Sequence, residues 1–171
     1  MLQKYIKIFA FLILVSCKTT EFNFPIEPVL SLDETPKQFQ LNGKDSAVEI
    51  SIHYTDGDGD IGLESSDTFV PFNYGSPYFY NLLVSVYQVN NGISSKIAIP
   101  LSSDSVNFND RIGNITPTGK NKAIFGDLTL KIKALPYPGI QPDSMFYTVQ
   151  IIDRQLHKSN LLKTPVLQFK F

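Results

Sequence analysis

Three aspartates stand at alternate positions in the run Asp56-Gly57-Asp58-Gly59-Asp60-Ile61-Gly62. Carboxylates about 5 Å apart repel by roughly 1 kcal/mol even at the dielectric of water, and by more when partly buried. A divalent cation removes that penalty. Hard oxygen donors spaced this way suit calcium, which takes about six to eight of them. Counted from Asp56, the carboxylates fall at positions 1, 3 and 5 of a calcium loop. Gly62 then stands at position 7, where a backbone carbonyl is used, Glu64 at position 9 and Asp67 at position 12. The match to an EF-hand loop is partial. Ile61 replaces its glycine, Asp67 replaces its longer glutamate, and the flanks are strand-like rather than helical. The expected ligands are thus Asp56, Asp58, Asp60, Gly62, Glu64 and Asp67, on a loop between strands. The alternative is a solvated Asp-Gly turn, but that needs only one such pair.

Cys17 is the sole cysteine, so an intramolecular disulfide is impossible and its thiol needs another use. Lys4 and Lys7 precede an unbroken apolar run from Ile8 to Val15, the layout of a signal segment too short to span a bilayer. Leu14-Val15-Ser16-Cys17 at its end resembles the bacterial lipobox, which implies cleavage before Cys17 and acylation of that residue. Residues 1–16 then form the signal peptide, 17–25 the lipidated cysteine and tether, and 26–171 the folded domain. Loss of Lys4 and Lys7 takes the formal charge from -1 to -3. A weakly acidic domain gives no basis for nucleic-acid binding.

The elements that must hold the acidic loop read as strands. Val48, Ile50, Ile52 and Tyr54 alternate with Glu49, Ser51 and His53. The same period recurs over Leu82–Val86, Leu128–Ala134, Met145–Ile151 and Leu167–Phe171, and Asn90-Asn91-Gly92 marks a hairpin before Ile93–Ile99. With a first strand near Ile26–Leu32 and a weaker one near Val106–Ile112, the expected fold is an all-β, immunoglobulin-like sandwich of about seven or eight strands. No segment has a helical period.

If Val48–Tyr54 is strand B and Met145–Ile152 is strand F, the B–C and F–G loops share one end of the sandwich. Asp153 then becomes a further candidate ligand, or else a turn residue bonding nearby backbone. The tether arrives at that end too, so calcium is expected to join the two loops, with Glu27 on the entering chain a further candidate.

The lipobox, Tyr54-Thr55 leading into the acidic run, and Ile152-Asp153-Arg154 through Ser159-Asn160 together resemble small Bacteroidetes-type lipoproteins with an immunoglobulin-like or cadherin-like domain. The resemblance implies an outer-membrane lipoprotein, with the periplasmic and cell-surface faces both open. It says little about activity. His53 and His157 lack zinc-site spacing, and no nucleophile elbow, phosphate loop or dinucleotide fingerprint occurs. The function expected is a lipid-anchored, calcium-stiffened binding or adhesion module that meets glycan or envelope protein. A structural accessory subunit of an envelope complex is the alternative, and a glycan-active enzyme has least support. Tyr74, Tyr78, Phe79 and Tyr80 supply rings suited to such contacts, although their place just before strand C favours filling the sandwich core or capping its edge.

Overall fold

The computed structural model describes residues 22–120, 122–134 and 139–171. The signal segment, Cys17 and the first part of the tether lie outside the described residues. Nine strands run β1 (Val29–Leu32), β2 (Lys37–Leu41), β3 (Lys44–Asp56), β4 (Leu82–Asn90), β5 (Ile93–Lys96), β6 (Ile124–Lys133), β7 (Ser144–Ile151), β8 (Leu162–Lys163) and β9 (Leu167–Gln168). Among the described residues there is no helix. Two antiparallel sheets pack face to face as a β-sandwich. In one, β3 pairs with β1 and β2 along one edge and with β6 along the other; in the second the order is β5-β4-β7, with β8 and β9 both on the far side of β7. In immunoglobulin-like lettering β1, β3 and β6 are A, B and E, opposed by β5, β4, β7 and β8/β9 as C′, C, F and G.

The period-two pattern explains which side chains meet between the sheets. Val48, Ile50 and Ile52 of β3 face Val84 and Val86 of β4 and Met145, Tyr147, Val149 and Ile151 of β7, all of them fully buried. The long register from Ala47↔Lys133 to Asp56↔Ile124 carries β3 out to the acidic run, so Asp56 is both the last residue of a core strand and the first residue of the loop.

Three differences from the sequence pattern have physical causes. The extra strand, β2, forms a hairpin with β3 through Asn42 and Gly43, both with positive φ, the same turn chemistry as Asn91-Gly92 between β4 and β5. The segment near Val106–Ile112 forms only isolated bridges to its neighbours, such as Leu82↔Asp110 and Ser85↔Asn107. Finally, β7 is buried on both faces: Phe146 lies flat against Tyr87 at 4.9 Å, and the Lys163 ammonium sits 4.0 Å from the Phe146 ring centre.

Ile61 breaks the glycine pattern of a calcium loop because it belongs to the core, where it is fully buried. Two residues on, the Leu63 amide donates to the Ile112 carbonyl. The loop is therefore pinned just beyond its last aspartate. Replacing Ile61 with alanine should cost about 2–5 kcal/mol, read by urea unfolding. A loss under about 1 kcal/mol would show that the loop is not core-anchored.

Candidate metal centre

Asp56, Asp58 and Asp60 converge: each offers a carboxylate oxygen, and these oxygens lie within 4.8 Å of one another. Asp56 is 0% exposed. Its Oδ2 accepts the Asp60 amide at 3.0 Å, which closes the loop, and Oδ2 of Asp58 accepts the Gln155 side-chain amide. The other oxygen of each carboxylate, Oδ1 of Asp56, Asp58 and Asp60, is buried without a hydrogen-bond partner. A buried polar atom left unpaired is costly and uncommon in native folds. Three in one loop, all carrying negative charge, form a pocket chemically suited to a cation.

The glycines between them serve close approach. A Cβ on Gly57 would lie 2.3 Å from the Phe24 carbonyl oxygen, and one on Gly59, where φ is +62°, would fall 1.7 Å from the Lys122 carbonyl oxygen. The Gly57 amide donates to the Pro25 carbonyl at 2.7 Å, so the incoming chain is fastened directly to the acidic loop.

Electrostatics agrees with the geometry. Burial, then the close approach and charge of Asp58 and the charge of Asp60, push the Asp56 carboxyl up to about 7. Asp60 is raised by burial and by the charges of Asp153 and Asp58, with Gln155 opposing. Asp153 is raised chiefly by burial.

The remaining residues expected at the site have other partners. Asp153 is buried behind the cluster, where its Oδ1 accepts the His157 amide at 2.8 Å and its Oδ2 faces His157 Nδ1 at 2.9 Å. It caps the F–G turn and contributes charge to the site. Asp67 is gripped by Arg154 through Nη1 at 2.6 Å and Nη2 at 3.3 Å, and that hydrogen bond holds its carboxyl below the usual range. Glu64 is exposed and accepts from the Asn114 side chain at 2.7 Å. Gly62, with φ +104°, makes a close approach, since a Cβ there would lie 2.1 Å from the Gly113 carbonyl oxygen. Beyond Asp60 the calcium-loop positions do not join the cluster, because Ile61 turns into the core and takes the chain away from the three aspartates.

Sequence reasoning missed the arginines. Arg154 donates its amide to the Asp60 carbonyl at 3.2 Å while its side chain holds Asp67, joining the acidic loop to the loop that follows. Arg111 gathers carbonyls of that second loop, Phe79 at 2.7 Å and Asp67 at 3.1 Å, and its guanidinium lies 5.0 Å from the Phe79 ring centre. The aromatics there do not fill the core. Tyr74 is 85% exposed and meets Phe79 edge-on at 5.2 Å, Phe79 meets Tyr80 at 4.9 Å, and Phe69 is 81% exposed. Arg111 belongs to no motif; Arg154 stands in the Ile152-Asp153-Arg154 segment, where its adjacency to Asp153 is the only hint of its role.

Comparison with protein families, with characterised proteins and with solved structures finds no match to this chain. Its chemistry is read from the residues themselves.

Each raised carboxyl has a folded pKa above that of the unfolded chain. Its contribution to stability is therefore fully present below about pH 4 and is lost as pH rises through the folded value. For Asp56 that window ends near 7. Asp67, being lowered, acts oppositely, and its contribution is lost only on acidification below about pH 4. In chelator, the melting temperature should fall between about pH 5 and pH 8, and saturating divalent cation should remove most of that fall. A flat profile in chelator would contradict this electrostatic picture.

Proposed function

We propose that Asp56, Asp58 and Asp60 bind calcium and that the chain is a lipid-anchored, calcium-stiffened binding or adhesion module of the cell envelope rather than an enzyme. The observation that carries the metal assignment is the trio of buried, unpartnered Oδ1 atoms. Calcium–oxygen distances of about 2.3–2.6 Å put opposite donors of one shell roughly 5 Å apart, so oxygens within 4.8 Å of one another suit a single ion. The donors are all carboxylates, without histidine or cysteine, which favours a hard cation. Lipid anchoring rests on Leu14-Val15-Ser16-Cys17 directly after the apolar run and on Cys17 having no partner thiol.

Binding is favoured over a spacer role by the second loop. A spacer has no use for Phe69 and Tyr74 held out in solvent on a loop clasped by two arginines. Aromatic rings on a fixed loop give contact area to glycan or protein at low entropic cost. Arg154 makes the two loops one unit, since it bonds Asp60 with its amide and Asp67 with its side chain. Stiffening of the acidic loop therefore reaches the aromatic loop.

A soluble form beginning at Lys18, melted in calcium and in chelator, tests this. Ligand at a hundredfold excess over Kd adds about 2.7 kcal/mol, or roughly 5–10 °C for a domain of this size. Asp56→Asn keeps an oxygen for the Asp60 amide but removes one charge. It should lose the calcium shift while melting in chelator no lower than the parent protein. An equal shift in both proteins would overturn the assignment.

A further inference from the structure

A second aromatic cluster lies away from the loop of Tyr74. Phe22 and Phe24 stack at 5.6 Å, and both turn edge-on to Phe125, at 4.9 Å and 6.2 Å. Phe125 belongs to the outward row of β6, whose other members are Asp127, Thr129, Lys131 and Lys133. It is the one aromatic in a row that is otherwise polar. Packing the incoming chain accounts for only one side of these rings, since Phe22 remains 45% exposed and Phe125 51% exposed. Their polar neighbours are His53, whose ring centre is 6.3 Å from that of Phe125, and Asp127, which bonds His53 at 2.8 Å. Apolar tips with a polar rim form a small contact surface.

Its position identifies the occupant. Phe125 pairs with Thr55, next to the Asp56↔Ile124 pair, so the cluster flanks the acidic loop at the end where the chain enters. Phe22 is five residues from Cys17. At about 3.5 Å per residue, an acylated Cys17 holds Phe22 within about 18 Å of its own lipid, even with the connecting residues fully extended. We infer that Phe22, Phe24 and Phe125 form a lipid-interface contact, so that the acidic-loop end of the sandwich faces the membrane and the domain rests against the bilayer. Rings of this kind at the headgroup boundary add to the hold of acyl chains. This inference rests on the lipid-anchor reading of Cys17.

The chain has no tryptophan, so Phe125→Trp places a single reporter in the cluster, and Phe22→Trp gives a second from the incoming chain should the first disturb β6. The full chain is made in cells that process lipoproteins and reconstituted into phosphatidylethanolamine–phosphatidylglycerol vesicles. The mass of the Cys17 peptide is measured in the same preparation. The expected result is an acylated peptide with blue-shifted tryptophan emission, quenched about twofold by phospholipids brominated near the headgroup end of their chains and shielded from iodide. An acylated peptide with emission open to iodide and indifferent to bromine overturns the inference while sparing the anchor. Emission shielded from iodide but not quenched by bromine means that protein or a second copy covers the cluster, and this too overturns it. An unmodified Cys17 peptide removes the anchor reading and the inference with it.

Discussion

Three carboxylates on one short loop, each with one oxygen withdrawn from water, impose the constraint around which this end of the molecule is arranged. Each aspartate satisfies one oxygen within the protein or leaves it to solvent, and each turns the other inward without a partner. Burial and mutual charge push the Asp56 carboxyl up to about 7, so without a cation its ionised form is disfavoured in this loop. The loop cannot relax outward to relieve this. Asp56 ends a strand paired with β6 from Ala47 to Asp56 itself, Ile61 is fixed in the core, and the glycines between are closed in by the backbones of Phe24 and Lys122. Rigid flanks and a charged centre make a site whose charge balance would depend on a bound cation.

That dependence is transmitted. On one side the Gly57 amide ties the loop to Pro25 and thus to the incoming chain; on the other, Arg154 bonds Asp60 and clasps Asp67 at the base of the aromatic loop. Asp153 and His157 brace the same turn from behind. A cation among the three aspartates would therefore set the stiffness of two surfaces, one formed with the incoming chain and one displaying Phe69 and Tyr74.

Much of the fold was legible because alternation in β3 and β4 is clean and hydrophobic burial decides strand orientation. The β2 hairpin was equally legible in Asn42-Gly43, the turn pair recognised at Asn91-Gly92, yet the exposed residues of β2 carry no hydrophobic pattern to draw attention. At the site, the aspartate spacing located the cluster, while a count along the chain misplaced Glu64 and Asp67. Linear spacing assumes a loop that keeps curling around the ion, and a buried isoleucine ends that curl. Arg111 and Arg154 were invisible because their partners are carbonyls and a carboxylate brought close only by the folded loops. The exposure of Tyr74 could not be read either, since proximity to a strand does not reveal which way a loop leaves it.

Calorimetric titration of calcium into the folded domain near pH 7, with Asp58→Asn alongside, tests the central claim most directly. One ion per chain, bound with measurable heat and proton release and lost or greatly weakened in the variant, is the expected result. A parent protein that takes up no calcium, or a variant that binds it as well as the parent, would contradict the claim that the three aspartates share one ion.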